Sequence, residues 1–145
     1  MDKSGANIKI KDTKGNVAHS MAQLFNEISA DILGDVTQCL KDAEETTAAW
    51  AALKINENAC AYGWRRYGSG WTYTREGKRA IRFVVHNKKY YRLTHLLEKG
   101  HRIIRHDGTD TGKRTDAKPH IAPVSEQVPD KVNENFDKNI MEFFL

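Results

Sequence analysis

"VAHSMAQLFNEISADILGDVTQCLKDAEETTAAWAAL", residues 17–53, is the stretch that decides the fold. Val17, Met21, Leu24, Phe25, Ile28, Ile32, Val36, Cys39, Leu40 and Ala43 recur at spacings of three and four. A repeat of 3.6 residues brings such positions onto one side of an α-helix, so they form a single apolar stripe. Gln23, Asn26, Glu27, Asp31 and Asp35 fill the opposite side. The pattern weakens through Thr47 and Trp50 and predicts a helix to about Leu53. At ~1.5 Å per residue, that helix is roughly 50 Å long. Gly34 is a place for it to bend, and the Asn-Glu-Asn run at 56–58 is expected to stop it.

On the N-terminal side, residues 1–16 are polar and rich in Gly and Lys, which predicts a flexible lead-in. At most, Ile8 and Ile10 of "NIKIKD" share one face of a short edge strand. On the C-terminal side the periodicity changes. In "GWTYTRE" (70–76) and "RAIRFVVHN" (79–87), aromatic and β-branched residues alternate with polar ones. This predicts a β-hairpin turning at Glu76–Lys78. The preceding "CAYGWRRYGSG" (60–70) is read as the start of the same strand system, broken at Gly68–Gly70. "KYYRLTHLLEKGH" predicts a compact helix with Tyr90, Leu93, Leu96 and Leu97 as its apolar stripe and Gly100 as its stop. Residues 105–119 have no apolar member beyond Ala117 and predict a long charged loop. A final helix carries Val132, Phe136, Ile140 and Phe143 in register, with Pro129 placed as its first residue.

The order is helix, strands, short helix, loop, helix. It predicts an α+β fold: a long N-terminal helix packed on a small antiparallel β-sheet, with a short helix, a long loop and a C-terminal helix. At 145 residues the chain is expected to be a single domain, 1–145. Charged residues make up 29% and apolar ones 39%, with a mean hydropathy of -0.67. The formal charge of +4 is mildly basic, which suits a solvated surface better than a dedicated polyanion-binding face. Cys39 and Cys60 form neither a CxxC pair nor a disulfide framework, as expected in a reducing compartment. No stretch approaches the roughly 20 apolar residues of a membrane span. The N-terminus lacks the apolar core of a signal peptide, so a cytoplasm is the expected place of synthesis and use.

"RLTHLLEKGHRIIRHDG" (92–108) holds three of the six histidines, His95, His101 and His106. A zinc site needs three or four ligands converging at about 2 Å, commonly from tight pairs on one helix face. Here the gaps are six and five residues, interrupted by Gly100, so no metal site is expected. His86, Asn87 and His95 offer the order of an HNH-type nuclease, the alternative reading, together with DNA binding. Asn87 is adjacent to His86, however, and no acidic first ligand accompanies it. No GxSxG motif is present, and "GTDTGK" lacks phosphate-loop spacing. No catalytic residue and no cofactor are expected. The run "WRRYGSGWTYTR" is read as a strand with arginines outward rather than as a base-stacking surface.

Two segments carry a resemblance. Tyr91, Arg92, Leu93, Thr94, His95, Leu96, Leu97, Glu98, Gly100 and His101 form Y-R-L-T-H-L-L-E-x-G-H; Pro119, His120, Ile121 and Pro123 form P-H-I-x-P. With a Gly- and Arg-rich stretch between them, they resemble the tail-completion (head–tail joining, neck) family of long-tailed bacteriophages, the group related to protein Z of phage lambda. The match covers about a quarter of the chain. Residues 56–70 depart from the family's usual turn, and 105–118 is more acidic than usual.

The resemblance implies a structural role in the virion at the head–tail junction, with no reaction and no cofactor. It implies a six-fold ring when assembled, and host cytoplasm as the place of assembly; a monomeric free chain is compatible with it. The implied neighbours are head-completion (stopper), tail-terminator or tail-tube proteins, with passing DNA touched weakly at most and no membrane. Residues 102–118 are then expected to be a mobile arm, with Arg105, Lys113 and Arg114 facing a neighbour or the lumen. His95 is expected on or beside the buried stripe, so that His95→Ala destabilises the fold. Glu98 and His101 are expected to fix the helix end and launch the loop, and His120 to anchor a returning strand near them.

Overall fold

The computed structural model describes the backbone of residues 17–145 and the side chains of residues 22–145. The expected lead-in, with Ile8 and Ile10, lies outside the described residues. The elements are α1 (Val17–Ala61), α2 (Arg65–Gly68), β1 (Trp71–Glu76) and β2 (Arg82–Asn87). They are followed by a 3-10 turn (Tyr91–Leu93), α3 (Thr94–Lys99), β3 (Arg102–Ile104), β4 (Asp110–Arg114) and α4 (Ala122–Phe144). The α+β architecture agrees with the sequence reading.

The first helix is longer than its periodicity predicted. It has 45 residues, about 67 Å at the α-helical rise. Asn56 and Asn58 do not stop it, because their side chains bond to other groups instead of competing for the local backbone. Asn58 Nδ2 donates to the His120 carbonyl (3.2 Å), and Asn56 Oδ1 accepts from the Cys60 thiol (3.4 Å). The true stop is Gly63, with φ 83°. The Trp64 N–H donates to the Ala59 carbonyl (3.0 Å) and the Gly63 N–H to the Cys60 carbonyl (2.9 Å). This pair of bonds is a Schellman motif, which needs a left-handed residue at that place. The chain then turns into α2, so residues 60–70 do not begin the strand system as expected. The helical turn directs Tyr67 into the core, where it is 7% exposed.

Strands β1 and β2 pair antiparallel, from Trp71 opposite Asn87 to Glu76 opposite Arg82. The connection runs over residues 77–81, longer than the turn expected at Glu76–Lys78. The sheet rests on α1, with Tyr73 donating its hydroxyl to Glu45 (3.2 Å). Trp71 and Val85 reach the cluster of Ala51, Ile55 and Val124. At the end of β2, Asn87 is 2% exposed. Its amide donates to the Tyr67 carbonyl (2.9 Å) and accepts from the N–H groups of Lys89 (3.1 Å) and Tyr90 (2.8 Å). Asn87→Ala leaves all three backbone groups without that partner. We expect it to lower the unfolding free energy by about 2–3 kcal/mol in urea titration. A loss below about 0.5 kcal/mol would show that water replaces the amide.

Helix α4 runs antiparallel along α1. Val124 packs near Ala51 and Ile55. Further along, Asn135 donates to the Thr47 hydroxyl (3.0 Å) and Asn139 to the Cys39 carbonyl (3.1 Å). Ala43, Ala48, Ala51, Ala52 and Ala59 are buried. Small side chains along α1 let neighbouring elements approach closely, so the core is built on alanine rather than on large aliphatics. Pro129 is not the first residue of the last helix. It lies inside α4, and Pro123 occupies the first turn. Pro129 and Ser125, whose carbonyl loses its partner, are both exposed, so water takes the place of the missing bond.

Residues 102–114 are not a structureless loop. Strands β3 and β4 pair antiparallel, Arg102 opposite Arg114 and Ile104 opposite Asp110, with a register shift between. Polar side chains build the hairpin. Asp107 Oδ1 accepts the Thr109 N–H (2.9 Å), and the Thr111 hydroxyl donates to the Ile103 carbonyl (2.7 Å). Nearly all of these residues are solvent-exposed, so no apolar alternation marks the strands. Among the described residues, no helix is long and apolar enough to cross a membrane.

Candidate functional site

The two halves of the sequence motif meet at one side chain. Glu98, near the end of α3, lies against the start of α4. Its Oε2 accepts the N–H groups of His120 (2.9 Å) and Ile121 (3.0 Å), and its Oε1 accepts that of Ala122 (2.9 Å). The first turn of a helix has N–H groups without intrahelical partners, and its dipole favours an anion there. Ile121 offers no side-chain cap. A carboxylate from another helix performs that function, which is why α4 begins at Ala122. Burial raises the Glu98 pKa, but the three N–H bonds and the nearby His120 outweigh it and hold the carboxyl below its usual value.

His120 has no exposed surface. Its Nδ1 lies 3.0 Å from the Lys118 carbonyl and 2.8 Å from Glu98 Oε2. Both are acceptors, so Nδ1 carries a proton. The hydrogen bond runs to Lys118, and the carboxylate acts mainly through its charge. On the other side, Nε2 lies 2.8 Å from the Tyr67 hydroxyl. Burial pushes the Tyr67 pKa up to about 12, with Glu98 adding to the rise and Trp71 opposing it. The phenol therefore stays neutral and keeps its proton at ordinary pH. Trp64, Tyr67 and Trp71 stand edge-on around the imidazole with centroids 5.7, 5.4 and 6.3 Å away. Among the described residues the buried Trp71 indole N–H meets no acceptor in hydrogen-bond geometry, so its effect on Tyr67 is that of a nearby N–H dipole rather than of a formed bond.

Backbone contacts tie this cluster to three other places. Tyr62 donates its hydroxyl to the Pro119 carbonyl (3.2 Å), and Asn58 reaches the His120 carbonyl. The Lys118 N–H donates to the Leu97 carbonyl (3.1 Å). The Lys118 ammonium lies 5.8 and 5.5 Å from the ring centroids of Tyr62 and Trp64. A Tyr–His–Glu chain resembles a proton relay in outline, but no surface of His120 is open to a substrate. The geometry braces the ends of α1, α3 and α4.

Other motif residues are placed differently. Tyr91 is 59% exposed and Leu93 43% exposed, with the Arg92 guanidinium over the Tyr91 ring. Leu96 and Leu97 are half-buried, and Pro123 is exposed. Gly100, with φ 74°, ends α3 as expected. His101 is exposed and joins the base of the hairpin to Thr115, which accepts its N–H at 2.9 Å. Arg114 donates to the Gly100 carbonyl (3.3 Å). His95 points away from the buried stripe: it is exposed, and no hydrogen bond engages its side chain among the described residues. His95→Ala is therefore expected to change stability by less than about 0.5 kcal/mol. A thermal midpoint lowered by several degrees would restore the buried reading.

The nuclease arrangement does not form. Asn87 is committed to the backbone of residues 67, 89 and 90, and His95 faces solvent. Among the described residues, no three His, Cys, Asp or Glu side chains converge to hold a metal ion. Sequence reasoning missed Trp64, Tyr67 and Trp71, which enclose His120. Their spacings of three and four were the available signal, hidden by the strand reading. A separate cleft of about 300 Å³ lies between α1, β2 and α4, lined by Thr47, Ala51, Phe83, Val85 and Val128 among others. It is largely apolar and does not include the His120 cluster.

Fold and site together define a small α+β protein whose two motif segments form one buried brace with an exposed hairpin between them. Compared with protein-family models, curated proteins and solved structures, the chain matches none.

Proposed function

We propose that this chain is a structural joining protein of a long-tailed phage or prophage, acting at the head–tail junction as a ring component. One observation carries the reading. Glu98 of the first motif segment binds the N–H groups of His120 and Ile121 of the second, across 22 and 23 residues. A resemblance in two pieces thus corresponds to one physical unit, and its residues serve the fold rather than a reaction. The segment between them, Arg102–Arg114, projects as a hairpin that a neighbouring subunit can grip. The assembled ring is six-fold, meets head-completion, tail-terminator or tail-tube proteins, and requires neither a cofactor nor catalysis.

The test is genetic and structural. Deleting the gene from an inducible prophage should yield filled heads and free tails that do not join, and an epitope on the chain should label the neck of intact virions. Normal particles from the deletion strain, or label confined to host cytoplasm, would remove this reading.

A further inference from the structure

The α1 stripe continues past the point where α4 ends. Asn135 meets Thr47 and Asn139 meets Cys39, so Leu145 falls near residue 34 of α1. Beyond it, Phe25 is 72%, Ile28 44%, Ile32 48% and Leu33 67% exposed. The same segment carries Glu27, Asp31 and Asp35 and, between Ala22 and Leu40, no Lys, Arg or His. It is an apolar, acidic arm. The β3–β4 hairpin is its chemical complement. Ile103 is 40% and Ile104 54% exposed. Arg105 follows Ile103 by two residues, and Lys113 adjoins Arg114, the partner of Arg102 beside the register shift, so the three lie together on the hairpin. Among the described residues Arg105 and Lys113 form no ion pair, whereas Arg102 is held by Asp110 (3.2 Å).

One chain cannot join its own two surfaces. The hairpin is rooted near His120, which sits beside Asn58 of α1. From there to Ile28 is about 45 Å along the helix, while a five-residue strand reaches only about 17 Å.

We propose that the acidic α1 arm of one copy docks on the basic face of the β3–β4 hairpin of the next. Ile28 and Ile32 cover Ile103, and Asp31 and Asp35, which the helical rotation sets at the edge of that face rather than opposite it, face Arg105 and Lys113. Two different surfaces meet, so the contact is head-to-tail and closes a ring when the rotation permits. Symmetric pairing of two arms is disfavoured, because it sets like charges against each other. The idea rests on the proposed ring in that it names the ring's subunit contact.

Sedimentation equilibrium of the full chain, up to its solubility limit, tests it. Self-association should weaken with added salt, because exposed charges are screened. Arg105→Glu with Lys113→Glu should weaken it by about tenfold or more. Adding Asp31→Lys and Asp35→Lys to that variant should restore association, which a merely structural defect would not allow. A chain that stays monomeric at low salt, association indifferent to the hairpin reversal, or failure of the swap to restore it would each overturn the contact. Virion labelling separates this from the functional reading. Neck label together with an inert swap sinks the contact alone; a working swap without neck label sinks the function alone.

Discussion

Glu98→Ala should lower the unfolding free energy by about 3 kcal/mol, shifting the thermal midpoint down by roughly 10 °C for a chain of this size. The carboxylate is the shared acceptor for the N–H groups of residues 120–122 and the nearest anion to His120. Its side chain is only 14% exposed, so water replaces it poorly. Glu98→Gln retains one acceptor oxygen and should lose about half as much. The wild type should also show a pH signature. The folded pKa of Glu98 lies below its unfolded value. Its contribution is therefore complete above about pH 4.3, the ordinary glutamate value, and is lost as pH falls through the lower folded value. Urea titrations across that acid range should show a steeper loss for the wild type than for Glu98→Gln. Equal slopes would place the titrating proton elsewhere, and a fully stable Glu98→Ala would mean α4 needs no foreign cap.

Legibility followed the source of each signal. The second half of the first helix was readable because burial of Cys39, Ala43, Thr47, Ala51 and Ile55 follows the helical period. Its first half keeps that period although Phe25, Ile28 and Ile32 are exposed, and the β1–β2 hairpin was readable from its residue types rather than from alternating burial. The end of α1 was misread because Asn56 and Asn58 looked like local terminators. Their partners are a cysteine thiol and a carbonyl 62 residues away, which no local rule contains. The start of α4 was misplaced for the same reason: Pro129 is a local signal, whereas the cap from Glu98 is tertiary. The β3–β4 hairpin left no periodic trace, since both faces meet solvent and its turn is built from Asp107, Gly108 and Thr109. Within the site, the resemblance marked Glu98 and His120, and the expectation that they lie near each other holds. Tyr67 stayed hidden in a segment read as strand, and His95 shows the opposite error. Its neighbours Leu93 and Leu96 suggested burial, but one helical position rotates a side chain by about 100°, enough to face water.

His120→Ala should be the more damaging change, at about 4 kcal/mol. It empties a fully buried position ringed by Trp64, Tyr67 and Trp71, and it strips Tyr67 and Glu98 of a polar partner. The two contributions separate by substitution. His120→Phe keeps an aromatic ring in edge-on packing but a somewhat larger one, so its loss of about 2–3 kcal/mol combines the missing hydrogen bonds with some overpacking and leaves no cavity. Removing the hydroxyl as well, in His120→Phe with Tyr67→Phe, deletes a buried group that no longer has a partner. The double variant should therefore be no less stable than His120→Phe alone, and more stable than the sum of the single changes, because contacting residues do not add independently. Urea unfolding of the four proteins measures this cycle. If the changes are additive, the 2.8 Å contact between Tyr67 and His120 contributes nothing to the brace. If His120→Ala costs less than about 1 kcal/mol, the cluster does not hold the ends of α1, α3 and α4 together.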